Sequence, residues 1–185
     1  LAKKSGLKTH MDGARLMNAV IKTDTPAASY AEGFDSTWID FTKGLGAPVG
    51  AVLAGSEEFI KQAWRIKQQW GGAMRQSGII ASMCLYALDN NVNRLSLDHA
   101  LAENLAYQIN QLEKVKNVLP VETNIIIFDL EDDAPTAEQL IENLKHQNII
   151  IGGFGERRIR IVTHLDVGPE AGQALMKELT KQLTI

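Results

Sequence analysis

The sequence predicts an α/β chain followed by a smaller α+β domain. Two patterns and a break between them predict it. In residues 1–91, short apolar runs alternate with stretches of helical spacing, and a charged residue or a glycine-rich turn follows the runs. In residues 92–185 the order becomes helix, strand, helix, strand, strand, helix, which suits a small antiparallel sheet beside helices. Asp89, Asn90 and Asn91 read as a turn between the two, so the expected domains are 1–91 and 92–185. With 185 residues, 45% hydrophobic and 22% charged, the chain has the composition of a globular protein able to bury a core.

Each element has a local reason. Residues 7–11 form a strand that ends at Asp12. Residues 13–21 are helical, with Leu16, Met17 and Val20 on one side. Residues 26–31 make a short helix stopped by Gly33, and strands follow at 37–41 and 49–53. Ser56 caps a helix that opens with Glu57 and Glu58 and presents Phe59, Ala63, Ile66 and Trp70 as its apolar face. Gly71 and Gly72 break it. Residues 73–88 form a helix apolar on most sides, which predicts burial. Leu97, Leu101, Leu105, Ile109 and Leu112 stripe the next helix. Residues 125–130 are a buried strand, and Thr136 with Gln139 forms a capping box for a helix carrying Leu140, Ile141 and Leu144. Strands are expected at 149–151 and 158–163, with Gly152–Gly153 as a turn. Pro169 opens the last helix, striped by Leu175, Leu179 and Leu183.

A formal charge of −3 supplies no electrostatic reason to expect nucleic acid or an anionic membrane as partner. No apolar run approaches the ~20 residues that span a bilayer, and the N-terminus has no apolar signal-peptide core. The single cysteine, Cys84, sits in an apolar run as a core thiol; it precludes an internal disulfide and fits a reducing compartment.

Chemistry centres on Lys43. It stands where a strand gives way to a turn punctuated by Gly44, Gly46, Pro48 and Gly50. Glycines let backbone approach a bulky group, and a desolvated lysine can act as a nucleophile in Schiff-base chemistry. A surface lysine in a hairpin turn is the other reading. Asp12, with Arg15 close behind, also follows a strand, and ligands bind at the carboxyl ends of strands in α/β folds. A carboxylate there could hold a pyridinium nitrogen protonated, as pyridoxal phosphate sites require, or could cap the helix after it. Arg160 reads as a surface arginine of an edge strand, with Ile159, Ile161 and Thr163 facing the opposite way. His10 reads as structural, while His99 and His146 read as solvated. No histidine pair has metal-ligand spacing within one element, so no metal site is expected.

Taken in order, HMDGARLMNAV, DFTKGLGAPVGAVLAG, GGAMRQSG and RIRIVTHLDV resemble the threonine aldolases, of the aspartate aminotransferase-like, fold type I group of pyridoxal phosphate enzymes. The resemblance implies the C-terminal part of a cofactor-binding large domain at 1–91 and a small C-terminal α+β domain at 92–185. It implies pyridoxal 5′-phosphate held covalently by Lys43, with Asp12 at the pyridine nitrogen and Arg15 near the phenolic oxygen. Thr42, where serine is usual, would lie beside the phosphate. Arg160 would take the substrate α-carboxylate, and His164 would have a structural hydrogen-bonding role. Arg75 would reach a neighbouring subunit's cofactor phosphate or anchor a helix start. Gln68 stands where several threonine aldolases have lysine, which points to a different side-chain pocket of a phenylserine type. The implied reaction is retro-aldol cleavage of threonine, allo-threonine or a related β-hydroxy-α-amino acid to glycine and an aldehyde, in a cytoplasmic homodimer or homotetramer. The rivals are another pyridoxal-phosphate β-eliminating lyase, an amino acid racemase, and a non-catalytic α/β fragment without cofactor. The family's Gly-Thr phosphate turn and ring-stacking histidine have no match in the sequence, so an incomplete site and uncovered apolar surface are expected of this chain alone.

Overall fold

The computed structural model describes residues 1–184. The chain divides into two compact units, Leu1–Leu95 and a second that begins at Ser96.

In the first unit, a turn of 3-10 helix (Ala2–Ser5) precedes strand β1 (His10–Gly13). Helices α1 (Leu16–Thr23) and α2 (Ala27–Ala31) lead to β2 (Ser36–Asp40), which pairs with β1 in parallel. Strand β3 (Ala51–Gly55) then pairs antiparallel with β2, so β2 is central and β1 and β3 are edges. Two helices follow, α3 (Glu57–Gln69) and α4 (Gly78–Asn91). The entry to β1 is pinned by Asp35, whose carboxylate accepts from Lys8 Nζ at 2.9 Å and from Thr9 N at 2.9 Å. These bonds hold the Asp35 carboxyl down at about 2. They also tie residues 8 and 9 to the start of β2, so the strand begins at His10 and includes Asp12.

The core of this unit is small. Phe41, Leu45, Ala47, Cys84, Ala87 and Leu95 are buried together, with Met17, Ile21 and Ile39 packed against them. Cys84 is therefore a core thiol, as expected. Helix α4 departs from expectation. Only Cys84 and Ala87 are buried along it, and Ile79, Leu85 and Tyr86 are exposed. A three-stranded sheet is too narrow to cover a helix that is apolar all round. The same shortage exposes β3 along its whole length and leaves Trp70 86% exposed. Residues 89–91, read as a turn, belong to the last turn of α4. Asn90 Nδ2 donates to the Tyr86 carbonyl at 2.8 Å and Asn91 Nδ2 to that of Leu45 at 2.7 Å, which lets polar residues continue the helix.

The second unit is a two-layer α/β sandwich. Helix α5 (Leu95–Ile109) leads into β4 (Val115–Val118), β5 (Ile125–Leu130), α6 (Ala137–Lys145), β6 (Gly152–Phe154), β7 (Arg158–Val162) and α7 (Pro169–Leu183). The sheet order is β4-β5-β7-β6 and every pair is antiparallel. Ile126, Phe128, Leu130, Ile159 and Ile161 pack on buried residues of α5, α6 and α7. Thr136 and Gln139 form the expected capping box. Strand β4, too polar to stand out in sequence, pairs with β5 across a bulge at Asn117.

Strand β6 lies at Gly152–Phe154 rather than at 149–151. The end of α6 accounts for the shift. Ile149 N bonds to the Leu144 carbonyl at 3.0 Å and Asn148 has a left-handed φ of 59°, so these residues close the helix. The two glycines then pair with β7. A Cβ on Gly153 would sit 3.0 Å from both Ile141 Cδ1 and the Arg158 carbonyl, so glycine is what lets α6 lie close to this strand.

Candidate active site

Lys43 lies just beyond β2, in a turn whose hydrophobic residues point inward. Phe41, Leu45 and Ala47 enter the core, while Thr42 and Lys43 face outward. Backbone bonds from Gly46 N to the Lys43 carbonyl (2.9 Å) and from Ala47 N to that of Phe41 (2.8 Å) fix the turn. Gly50 closes it at φ 135°, a conformation L-residues rarely adopt, and a Cβ there would overlap Cys84 Sγ.

Asp40, the last residue of β2, anchors this turn. It is 7% exposed, and both carboxylate oxygens are used. Oδ1 accepts from Thr42 N at 2.9 Å and from Thr42 Oγ1 at 2.7 Å. Oδ2 accepts from Lys43 Nζ. The lysine amine also lies 5.5 Å from the centroid of the Trp38 ring, within reach of a cation–π contact. Burial alone would push the Asp40 carboxyl upward, but the bonds from Lys43 and Thr42 outweigh it and hold the group below the usual carboxylate range.

Register decides which residues share a face. His10 pairs with Ser36, Asp12 with Trp38, Trp38 with Leu53 and Asp40 with Ala51. Side chains alternate along a strand, so His10, Asp12, Ser36, Trp38 and Asp40 lie on one face and Met11, Thr37 and Ile39 on the other. The 2.9 Å contact between His10 Nδ1 and Ser36 Oγ agrees with that parity. Lys43 folds back over Trp38 and Asp40, so its amine lies on the face that carries Asp12.

Asp12 does not cap α1. The N-cap is Arg15, without a side-chain cap bond. Instead Asp12 Oδ1 accepts from Ala14 N at 3.0 Å, closing the turn after β1 and leaving the carboxylate exposed. Arg15 follows, partly buried. Arg75 is exposed in the loop before α4, and among the described residues no side-chain bond ties it to the helix start.

In the second unit, β7 presents Arg158, Arg160 and Val162 on its open side and buries Ile159 and Ile161. Arg158 is spent on Asp129, with bonds of 2.7 and 2.9 Å. These bonds hold the Asp129 carboxyl at about 2. Arg160 pairs in register with Ile127 and Gly152, neither of which offers a carboxylate. His164 Nδ1 accepts from Asp166 N at 3.3 Å. His146 is exposed as expected, whereas His99 is buried; its position on α5 lies toward the covered side, which the leucine stripe alone did not reveal.

Sequence reasoning missed Asp40 and the ring contact of Trp38. A signal was present, since aspartate is uncommon in strands and this one ends a run of aromatic and β-branched residues three places before the lysine.

Residues 1–133 match the family Beta-eliminating lyase. The chain belongs to that family. Curated relatives of the chain include low-specificity L-threonine aldolase 1 of Arabidopsis thaliana, 43% identical over 89% of this chain and 46% of its own. The low specificity L-threonine aldolase of Escherichia coli (strain K12) is 38% identical over 91% of this chain and 49% of its own. The chain thus spans about half the length of the curated relatives it matches. Among solved structures, a Leishmania major threonine aldolase superposes with a TM-score of 0.74 at 20% identity, covering 97% of this chain and 54% of that one. The histidinol-phosphate aminotransferase of Clostridium acetobutylicum does so with 0.71 at 14%, covering 97% and 55%. The fold is therefore that of the fold type I group, whose families depend on pyridoxal phosphate. Among the described residues no helix is long and apolar enough to cross a membrane.

Proposed function

We propose that this chain is part of a threonine aldolase that uses pyridoxal phosphate to cleave the Cα–Cβ bond of threonine, allo-threonine or a related β-hydroxy-α-amino acid, releasing glycine and an aldehyde. The observation that carries the reading is the shared face of Lys43 and Asp12, which one aromatic ring could meet on two sides.

The residues present fit such a group. The Asp12 carboxylate is exposed, and one of its oxygens is bound only to the turn at Ala14. It would take the protonated ring nitrogen. Arg15 would stand near the phenolic oxygen. Lys43, once its amine leaves Asp40, would form the covalent attachment. Thr42 is the harder case, because its hydroxyl proton and its backbone N–H both go to Asp40. To contact a phosphate, the hydroxyl would have to turn away from that carboxylate. Arg160, facing outward from β7 beside the small side of Gly152, would bind a substrate carboxylate bidentately, and Arg75 would serve a neighbouring subunit of a homo-oligomer. When bound, pyridoxal phosphate supplies the electron sink for the pair released as the bond breaks.

Borohydride reduction followed by peptide mass spectrometry tests the attachment. A pyridoxyl mass on Lys43, and its loss with the yellow absorbance in Lys43→Ala, are expected of the intact protein. A label on another lysine, or none, would overturn the reading. Release of glycine and acetaldehyde from threonine, without ammonia, separates aldol cleavage from β-elimination and from racemisation.

A further inference from the structure

We propose that Asp40 is a positioning residue for Lys43 with two separable tasks. Oδ1 shapes the turn that carries the lysine, and Oδ2 holds the amine at rest, so that the amine must leave Asp40 before it can attack an aldehyde. The proposal rests on the reading of Lys43 as the attaching residue, and no part of it requires a further ligand.

The geometry divides the carboxylate cleanly. Two bonds from Thr42, one from its backbone and one from its hydroxyl, reach Oδ1 only. They bend the chain out of β2 so that the next side chain starts on the Trp38 face. The third bond, from Lys43 Nζ, reaches Oδ2 only. The acid is nearly buried while the lysine side chain is 37% exposed, so the anion is fixed and the cation is the mobile partner. An amine attacks a carbonyl through its lone pair, and one bound as a cation to a carboxylate has none to offer.

Few other charges can substitute for Asp40. On β1 the acid of the same face is Asp12, with Oδ1 given to Ala14 and Arg15 behind it. On β3 the residues of that face are Ala51, Leu53 and Gly55. From α3, Lys67 lies over the Trp64 ring, 4.8 Å from its centroid.

The test is reductive methylation of the intact protein by formaldehyde and cyanoborohydride, after hydroxylamine dialysis to free the amine. In each step the amine nitrogen bonds to the aldehyde carbon, the oxygen leaves as water, and cyanoborohydride supplies the hydride. Peptide mass spectrometry gives the rate at Lys43 relative to Lys22 and Lys177, two exposed lysines, in the same sample. Lys43 is expected to react more slowly than both. Asp40→Asn keeps an acceptor for Thr42 and removes the one for the lysine, and should raise the relative rate at Lys43 about tenfold, as the loss of a charge-assisted bond implies. Asp40→Glu should restore part of the protection. Thr42→Val, which leaves Oδ2 untouched, should leave Lys43 slow.

A wild-type Lys43 as reactive as Lys22 would overturn the proposal without any variant. So would an Asp40→Asn rate unchanged from wild type, or a Thr42→Val rate equal to that of Asp40→Asn. Methylation needs no cofactor site, so failure here is distinct from failure of pyridoxyl labelling at Lys43.

Discussion

At the scale of single residues, two arginines two places apart on β7 illustrate how partners decide roles. Arg158 and Arg160 share a face, yet Arg158 is bound to Asp129 through two nitrogens. Of the two, Arg160 is the one with no carboxylate across from it in register, its neighbours being Ile127 and Gly152. On the proposed function, Arg160→Ala is expected to raise the KM for threonine by about 10- to 100-fold, the worth of a hydrogen-bonded charge, while Arg158→Ala leaves KM within about twofold; steady-state kinetics on the intact protein checks both. The Asp129 pair has its own signature. Its folded carboxyl sits at about 2, below an unfolded value of ~3.9. Its stabilisation is thus complete above the unfolded value and is lost as pH falls from there through about 2. Asp129→Asn should lower the melting temperature by a constant amount above pH 5 and flatten the acid arm, so that mutant and wild type converge as pH falls toward about 2. Lys43 and Asp12 stood out in the sequence because one falls just past a strand, the other near a strand's end, and both lie in an ordered set of motifs. Asp40 did not, because its role depends on which oxygen meets which donor, and no spacing rule reports that.

Secondary-structure elements were readable where local bonds decide them. The capping box at Thr136 and Gln139 is an example, with both reciprocal bonds present at 3.2 and 2.9 Å. Thr136→Ala should destabilise the second unit by about 1 kcal/mol, measurable as a shift in denaturant midpoint with unchanged slope. Ser56 at the start of α3 is similar, accepting from Phe59 N at 3.2 Å. Elements were misplaced where distant packing decides them. Strand β6 moved onto two glycines because α6 needs the space above Gly153, and glycine in sequence reads first as a turn. Strand β4 escaped because Lys116 and Asn117 dilute its pattern, and its pairing with β5 was invisible from within four residues. Helix α4 was expected to be buried from its composition, but composition measures what a helix could bury, not what lies beside it.

Across the whole molecule the two units differ in how far each can account for its own stability. The second gathers eighteen buried apolar residues into one cluster, from three helices, strands β5 and β7, and the loop positions Leu112 and Ala134. The first has six, and it exposes Val52, Trp64, Trp70, Ile79 and Leu85. Its sheet also ends in β1 and β3, two edges with unpaired backbone groups. Hydrophobic burial is the main favourable term in folding, and a domain of this size has little to spare. Expressed separately, residues 96–185 should therefore melt in one cooperative transition with native helix content. Residues 1–95 should bind a hydrophobic dye strongly and lack a sharp transition. Calorimetry and dye fluorescence on the two pieces decide the matter. A cooperative melt from residues 1–95 without dye binding would mean that six buried residues and the Asp35 and Asp40 clamps suffice, and the exposed face would then need no cover to be stable.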